Sequence, residues 1–145
     1  MTVMRPASTR RHFMAAAFAL LAGAARPLRA ASQHPDRAWY LDARRMRALA
    51  ESWGDQRYGA VVVAGGRVIG HGPSRVVRDN DPDAHAERVA IRDALRARPD
   101  GRLQDAVLYS TSRPCSACEQ AAARAGILRM YFGEELQDGG KPAAG

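Results

Sequence analysis

The chain has 145 residues, enough for one domain with a real hydrophobic core and too few for a second. Apolar residues make up 46% and charged residues 26%, a balance that excludes a disordered or fibrous chain. The formal net charge of +7 does not establish a polyanion-binding protein: residues 1–30 hold Arg5, Arg10, Arg11, Arg26 and Arg29 and no acid, and the remainder has 17 basic against 15 acidic residues.

The first thirty residues have the parts of an export signal. Arg10-Arg11 precede an apolar stretch from Phe13 to Ala25, and small residues offer cleavage at Ala22-Gly23-Ala24 or at Ala30. The stretch is shorter than the ~20 residues of a membrane-spanning helix. The arginine pair resembles a twin-arginine signal. The expectation is therefore a periplasmic protein with no stable membrane anchor after cleavage: a signal at 1–30, a domain at 31–135 and a flexible tail at 136–145. A plain secretory signal, a basic amphipathic tail and an uncleaved anchor are the alternatives.

Beyond the leader, Trp39, Ala43, Met46, Leu49, Ala50 and Trp53 recur at steps of three and four and predict an amphipathic helix over 37–53, capped by Asp36 and stopped by Gly54. Trp53 and Met46 are expected in the core. Gly59–Val63 and Arg67–Gly70 flank the turn Ala64-Gly65-Gly66 and predict a β-hairpin. Residues 72–83, with Gly, Pro, Ser, Asn and Asp, predict a loop. A helix is expected from about Ala84 to Arg98, with Asp83 as N-cap and Val89, Ala90, Ala94 and Leu95 inward. A strand follows at 106–111. A helix then opens at Pro114 and ends at Gly126, and a last strand is expected at 128–132. Helices alternating with strands imply an α/β fold, a three-layer α/β/α sandwich around a mixed sheet.

The cysteines are Cys115 and Cys118, at i and i+3 on the first turn of a predicted helix, where exposed N–H groups and the dipole favour thiolate. His85, 30 residues earlier, opens the preceding helix within His85-Ala86-Glu87. Two thiolates and an imidazole make three zinc ligands and leave the fourth tetrahedral position to water, whose pKa zinc lowers to about 7. Neither His12, His34 nor His71 supplies a convincing fourth ligand. Glu87 diverges from His85 by about 200° on an ideal helix, yet near a helix start both can border one pocket, where a carboxylate can move protons.

His-x-Glu followed by Pro-Cys-x-x-Cys is the zinc deaminase signature. Over residues 57–133 the chain resembles the cytidine- and deoxycytidylate-deaminase-like superfamily. The stretch VVRDNDPDAHAERVAIRDAL is similar to guanine deaminases, and LYSTSRPCSACEQAAARAGILRMYFG to guanine deaminases and tRNA adenosine deaminases together. The resemblance implies that His85, Cys115 and Cys118 hold Zn2+, that Glu87 shuttles protons, and that zinc-bound hydroxide displaces an exocyclic amine as ammonia from a nucleobase, nucleoside or related heterocycle. It also implies a homo-oligomer.

Two positions depart from the relatives. Ser74 stands where they carry a substrate-binding Asn, and a hydroxyl cannot give an amide's paired donor and acceptor. Arg113 replaces a Glu before the Pro-Cys pair; a cation there favours a substrate with a carboxylate, phosphate or acceptor-rich edge, or is simply a solvated surface arginine. Ser74, Tyr58, Ala86 and Arg113 are the candidate substrate-binding residues, although for Tyr58 a core or surface role is favoured over a place in the pocket. The near-neutral charge beyond the leader and the short segment after the last strand disfavour tRNA and, with it, a nucleic-acid partner. Two rival readings remain: a deaminase-fold module that binds zinc without turnover, and an exported Cys-x-x-Cys thiol oxidoreductase.

Overall fold

The computed structural model describes residues 35–145. The expected export signal at 1–30, with His12 and His34, lies outside the described residues. Helix α1 (Pro35–Ser52) precedes the hairpin β1 (Gly59–Ala64) and β2 (Arg67–Pro73). Then come α2 (Ala86–Arg96), β3 (Val107–Ser110), α3 (Ser116–Ala125), β4 (Arg129–Phe132) and β5 (Gln137–Gly140). The sheet runs in the order β2-β1-β3-β4-β5. It is mixed: β1 is antiparallel to β2 and β3, β3 and β4 are parallel, and β5 is antiparallel to β4. The parallel step needs a crossover, which α3 supplies.

The two-residue period of the strands sorts the core into two faces. Ala60, Val62, Leu108 and Met130 pack with Ala86, Ala90, Ile91 and Ala94 of α2 and Ala122 of α3. Val61, Val63 and Tyr109 point the other way, with Ala43 of α1. Every residue of β1 is buried, as in a strand covered on both sides. Val61, Val62 and Leu108 are fully buried, and each contributes about 1.5–3 kcal/mol. The expected three-layer α/β/α sandwich is the observed fold. No helix among the described residues is long and apolar enough to cross a membrane.

Backbone contact fixes how closely the helices seat. A Cβ added to Gly72 would lie 2.0 Å from the Ala86 carbonyl oxygen, and one added to Gly70 would lie 2.3 Å from that of Ala90. On the opposite face, a Cβ at Gly59 would lie 2.2 Å from the Ala43 carbonyl oxygen and 2.2 Å from the Arg47 nitrogen. The hairpin glycines are thus the contact points of both α1 and α2.

Several local expectations are corrected. Asp36 lies inside the first turn of α1, where it accepts the Tyr109 hydroxyl at 2.7 Å. Asp83 lies before α2 and pairs with Arg88, while His85 takes the N-cap. The buried stripe of α2 is Ala86, Glu87, Ala90, Ile91 and Ala94. Val89 and Leu95 are only half-buried, because the glycines of β2 draw the alanine edge of the helix inward. Trp53 is half-buried beneath the Arg78 guanidinium, 4.2 Å from the ring centre, so it is a cation–π platform at the rim. Strand β2 runs on to Pro73, shortening the expected loop.

The expected flexible tail at 136–145 contains β5, which the low β-propensity of Asp138-Gly139-Gly140 concealed. Its backbone pairs with β4, Arg129 forms an ion pair with Asp138, and Gly139 lies close over Phe132.

Candidate metal centre and active-site cleft

Two helix starts build the centre. His85 is the N-cap of α2 in extended conformation (φ −62°, ψ 150°), so the 200° helical divergence from Glu87 does not apply. Cys115 is the extended N-cap of α3, and its sulfur accepts the Cys118 N–H at 3.4 Å. Packing of α2 beside α3 brings the three side chains together, with His85 Nδ1 3.6 Å from Cys115 Sγ and 3.4 Å from Cys118 Sγ. With Zn–S of about 2.3 Å and Zn–N of about 2.0–2.1 Å, the N–S edge of a tetrahedron is about 3.6 Å. The two sulfurs are 3.1 Å apart. These three residues are the candidate metal-binding group among the described residues.

The electrostatics also fit a bound dication. Burial pushes the Cys118 thiol well above its ordinary pKa, and the adjacent Cys115 and Glu87 add to the rise. A soft divalent cation favours the thiolate and compensates the crowded acceptors, so the His/Cys/Cys set fits Zn2+.

Glu87, in the first turn of α2, is 4% exposed. Its Oε1 accepts a hydrogen bond of 2.7 Å from the Ser110 hydroxyl, itself fully buried at the end of β3. Ser110 thus aims the carboxylate from across the sheet edge. Sequence reasoning missed Ser110, because a serine ending an apolar strand carries no local signal.

A cleft of 390 Å³ opens over the centre, lined by Gln56, Tyr58, His85, Glu87, Ser112, Arg113 and Cys115. That volume suits a small heterocycle. Tyr58 and Arg113 stand on its wall, with the Arg113 guanidinium 5.6 Å over the Phe132 ring. Ser74 and Ala86 do not belong to the wall, since both are essentially inaccessible. The Ser74 hydroxyl donates to Asp55 at 2.9 Å, and the Ala86 carbonyl is pressed against Gly72. Gln56 and Ser112 supply polar groups instead, and no periodicity announced either one.

Asp55 organises the rim. Its carboxylate accepts from the backbone N–H groups of Gln56, Val77 and Arg78 and from Ser74. Burial, the largest single influence, pushes its pKa up, but these hydrogen bonds together outweigh it and leave the group below its ordinary value. The acid that secures Gln56 therefore also holds the Ser74 hydroxyl.

Comparison with known proteins agrees with this geometry. A tRNA-specific adenosine deaminase of Buchnera aphidicola (subsp. Schizaphis graminum) is 36% identical over 103 residues, covering 71% of this chain and 68% of the relative. The guanine deaminase of Bacillus subtilis is 37% identical over 81 residues, covering 56% of this chain and 52% of the relative. The chain thus spans about half to two thirds of the length of these curated relatives. A solved structure from a study of A-to-I editing by tRNA:A34 deaminases superposes with a TM-score of 0.64 at 36% identity, covering 67% of this chain and 75% of the other. The family model for the cytidine and deoxycytidylate deaminase zinc-binding region matches residues 34–134, and the chain belongs to that family.

Proposed function

We propose that this protein is a zinc-dependent hydrolytic deaminase that releases ammonia from the exocyclic amine of a nucleobase, nucleoside or related small heterocycle. The observation that carries the reading is the buried Glu87 carboxylate, held by Ser110 beside His85, Cys115 and Cys118 at the floor of a ring-sized cleft. When bound by those three residues, zinc supplies the Lewis acidity that makes water nucleophilic near neutral pH. Glu87 takes a proton from the attacking water and passes it to the ring nitrogen as the C–O bond forms, then carries the remaining hydroxyl proton to the amine, so that the C–N bond breaks and ammonia leaves. Ser110 keeps the carboxylate oriented between the two transfers. Gln56 offers an amide donor and acceptor to the ring edge, and Tyr58 offers an aromatic face.

The names of the relatives include both guanine deaminase and tRNA-specific adenosine deaminase. A free heterocycle is the proposed substrate because the chain beyond residue 30 is close to charge balance. Export to the periplasm on residues 1–30 and assembly into a homo-oligomer complete the proposal.

The test is zinc content and ammonia release on the purified protein, beside His85→Ala, Cys118→Ser and Glu87→Ala. About one zinc per chain, lost in the first two variants and kept in the third, with turnover lost in all three, is the expected result. Zinc without turnover on purines, pyrimidines and pterins would establish a binding module instead. No zinc, with Cys115 and Cys118 cycling as a disulfide, would establish a thiol oxidoreductase.

A further inference from the structure

A second cavity, of 530 Å³, adjoins the cleft and is lined by Arg47, Gln56, Arg57, Tyr58, Thr111 and Ser112. Gln56, Tyr58 and Ser112 line both spaces, so one substrate can reach from one into the other. Among the described residues, no acid lines this cavity. Both arginines are set by one carboxylate: the Arg47 Nε donates to Glu51 Oε1 at 2.8 Å and the Arg57 Nε donates to the same oxygen at 3.2 Å. Hydrogen bonding from Arg47 holds the Glu51 carboxyl below its ordinary pKa, so it remains an anion at neutral pH.

Two guanidiniums against one carboxylate leave a net positive charge. Among the described residues, no Nη of either arginine donates to a protein acceptor. A guanidinium anchored through Nε keeps its Nη groups for a further acceptor, and oxyanions match that fork. The backbone behind them is fixed. Gly59 lets α1 approach β1 so closely that an added Cβ would meet the Arg47 nitrogen at 2.2 Å. Thr111 pins the other side, its hydroxyl accepting the Gly59 N–H at 3.1 Å.

We propose that the Arg47–Arg57 cavity is an anion subsite of the deaminase cleft, binding a phosphate or carboxylate carried by the heterocyclic substrate. The inference rests on the deaminase reading and deepens it: the reacting ring sits over His85 and Glu87, and its anionic substituent lies past Tyr58 between the two guanidiniums.

The experiment uses the zinc-loaded full chain, with Arg47→Ala, Arg57→Ala and the corresponding Lys variants. Ammonia release is compared within nucleoside and nucleoside 5′-monophosphate pairs, and within pyrimidine and pterin pairs with and without a ring carboxylate. Thermal shift and competitive inhibition by inorganic phosphate give a readout independent of turnover. The expected result is a KM about tenfold lower for the anionic member of one series, the scale of a charge-assisted hydrogen bond. Either Ala variant should collapse that ratio towards one, and Lys should restore part of it. Which series shows the ratio identifies phosphate or carboxylate.

Equal KM values within every pair, or variants that weaken both members alike, would overturn the subsite while the deaminase reading stands. Deamination of an RNA oligonucleotide and of no monomer would overturn it as a small-molecule subsite. Absence of ammonia from every substrate at full zinc loading would overturn the deaminase reading and the inference with it. Phosphate binding that survives both Ala variants would overturn the subsite whatever the turnover.

Discussion

Replacing Gly72 by Ala tests the claim that contact between β2 and α2 places the zinc ligands. The added Cβ would lie 2.0 Å from the Ala86 carbonyl oxygen, 2.6 Å from Ala90 Cβ and 2.7 Å from the Ala90 nitrogen. Two of these three neighbours are helix backbone, so no side-chain rotation relieves the clash. The helix must retreat by about 1 Å at its first turn, an overpacking that costs about 1–3 kcal/mol. His85 and Glu87 flank Ala86 and move with it. A misplacement of about 1 Å in catalytic geometry costs about 100-fold in rate. Gly66→Ala is the control: Gly66 has a positive φ of 70° with no atom within 4 Å of its added Cβ, so only its local strain is felt. Thermal melting, zinc content and kcat/KM are measured on both variants. Gly72→Ala should melt several degrees lower, bind zinc more weakly and lose about 100-fold in kcat/KM, while Gly66→Ala should lose only stability. A Gly72→Ala protein with wild-type zinc affinity and kcat/KM would refute the reasoning.

Ser110→Ala removes the hydrogen bond to Glu87 within a buried pair. It should lower stability by about 1.5–3 kcal/mol and reduce kcat while zinc content stays near one per chain; unchanged kcat would remove Ser110 from the positioning role. Asp55 has its pKa lowered in the folded state, so its stabilising effect is complete above the unfolded value of about 3.9 and fades as pH falls through the lower folded value. Asp55→Asn should therefore flatten the acid limb of a pH–stability curve below about pH 4, and an unchanged limb in denaturant titrations would contradict this. The Cys115 and Cys118 sulfurs lie 3.1 Å apart and are not joined by a disulfide. A mild oxidant should cross-link them, and added zinc should slow the reaction in a thiol-labelling time course. Equal rates with and without zinc would mean that the metal does not occupy this site.

The chemistry of the centre was legible because it resides in residue type and spacing. Cys115 and Cys118 share a helical turn, and His85 and Glu87 open the other helix start, so short-range geometry brings each half together. Gly54 and Gly126 marked the ends of α1 and α3 for an equally local reason: both sit at positive φ, which other residues adopt only under strain. The order of helices and strands also followed from local periodicity, except for β5, whose residues have little intrinsic preference for a strand and join the sheet only because β4 offers an unpaired edge.

The walls of the cleft were a different matter. Ser74 occupied the position expected to meet substrate, but Asp55, 19 residues away, takes its hydroxyl. Gln56, just before β1, and Ser110 and Ser112, at the end of β3, belong to two separate stretches that become one site only when β1, β3 and α2 meet. The cavity of Arg47 and Arg57 likewise depends on Gly59 admitting α1 to the sheet. Ligand identity is a property of side-chain chemistry, and a sequence displays that directly. Which polar groups are consumed internally and which face the cleft depends on long-range packing, and that partition was decided only by the tertiary structure.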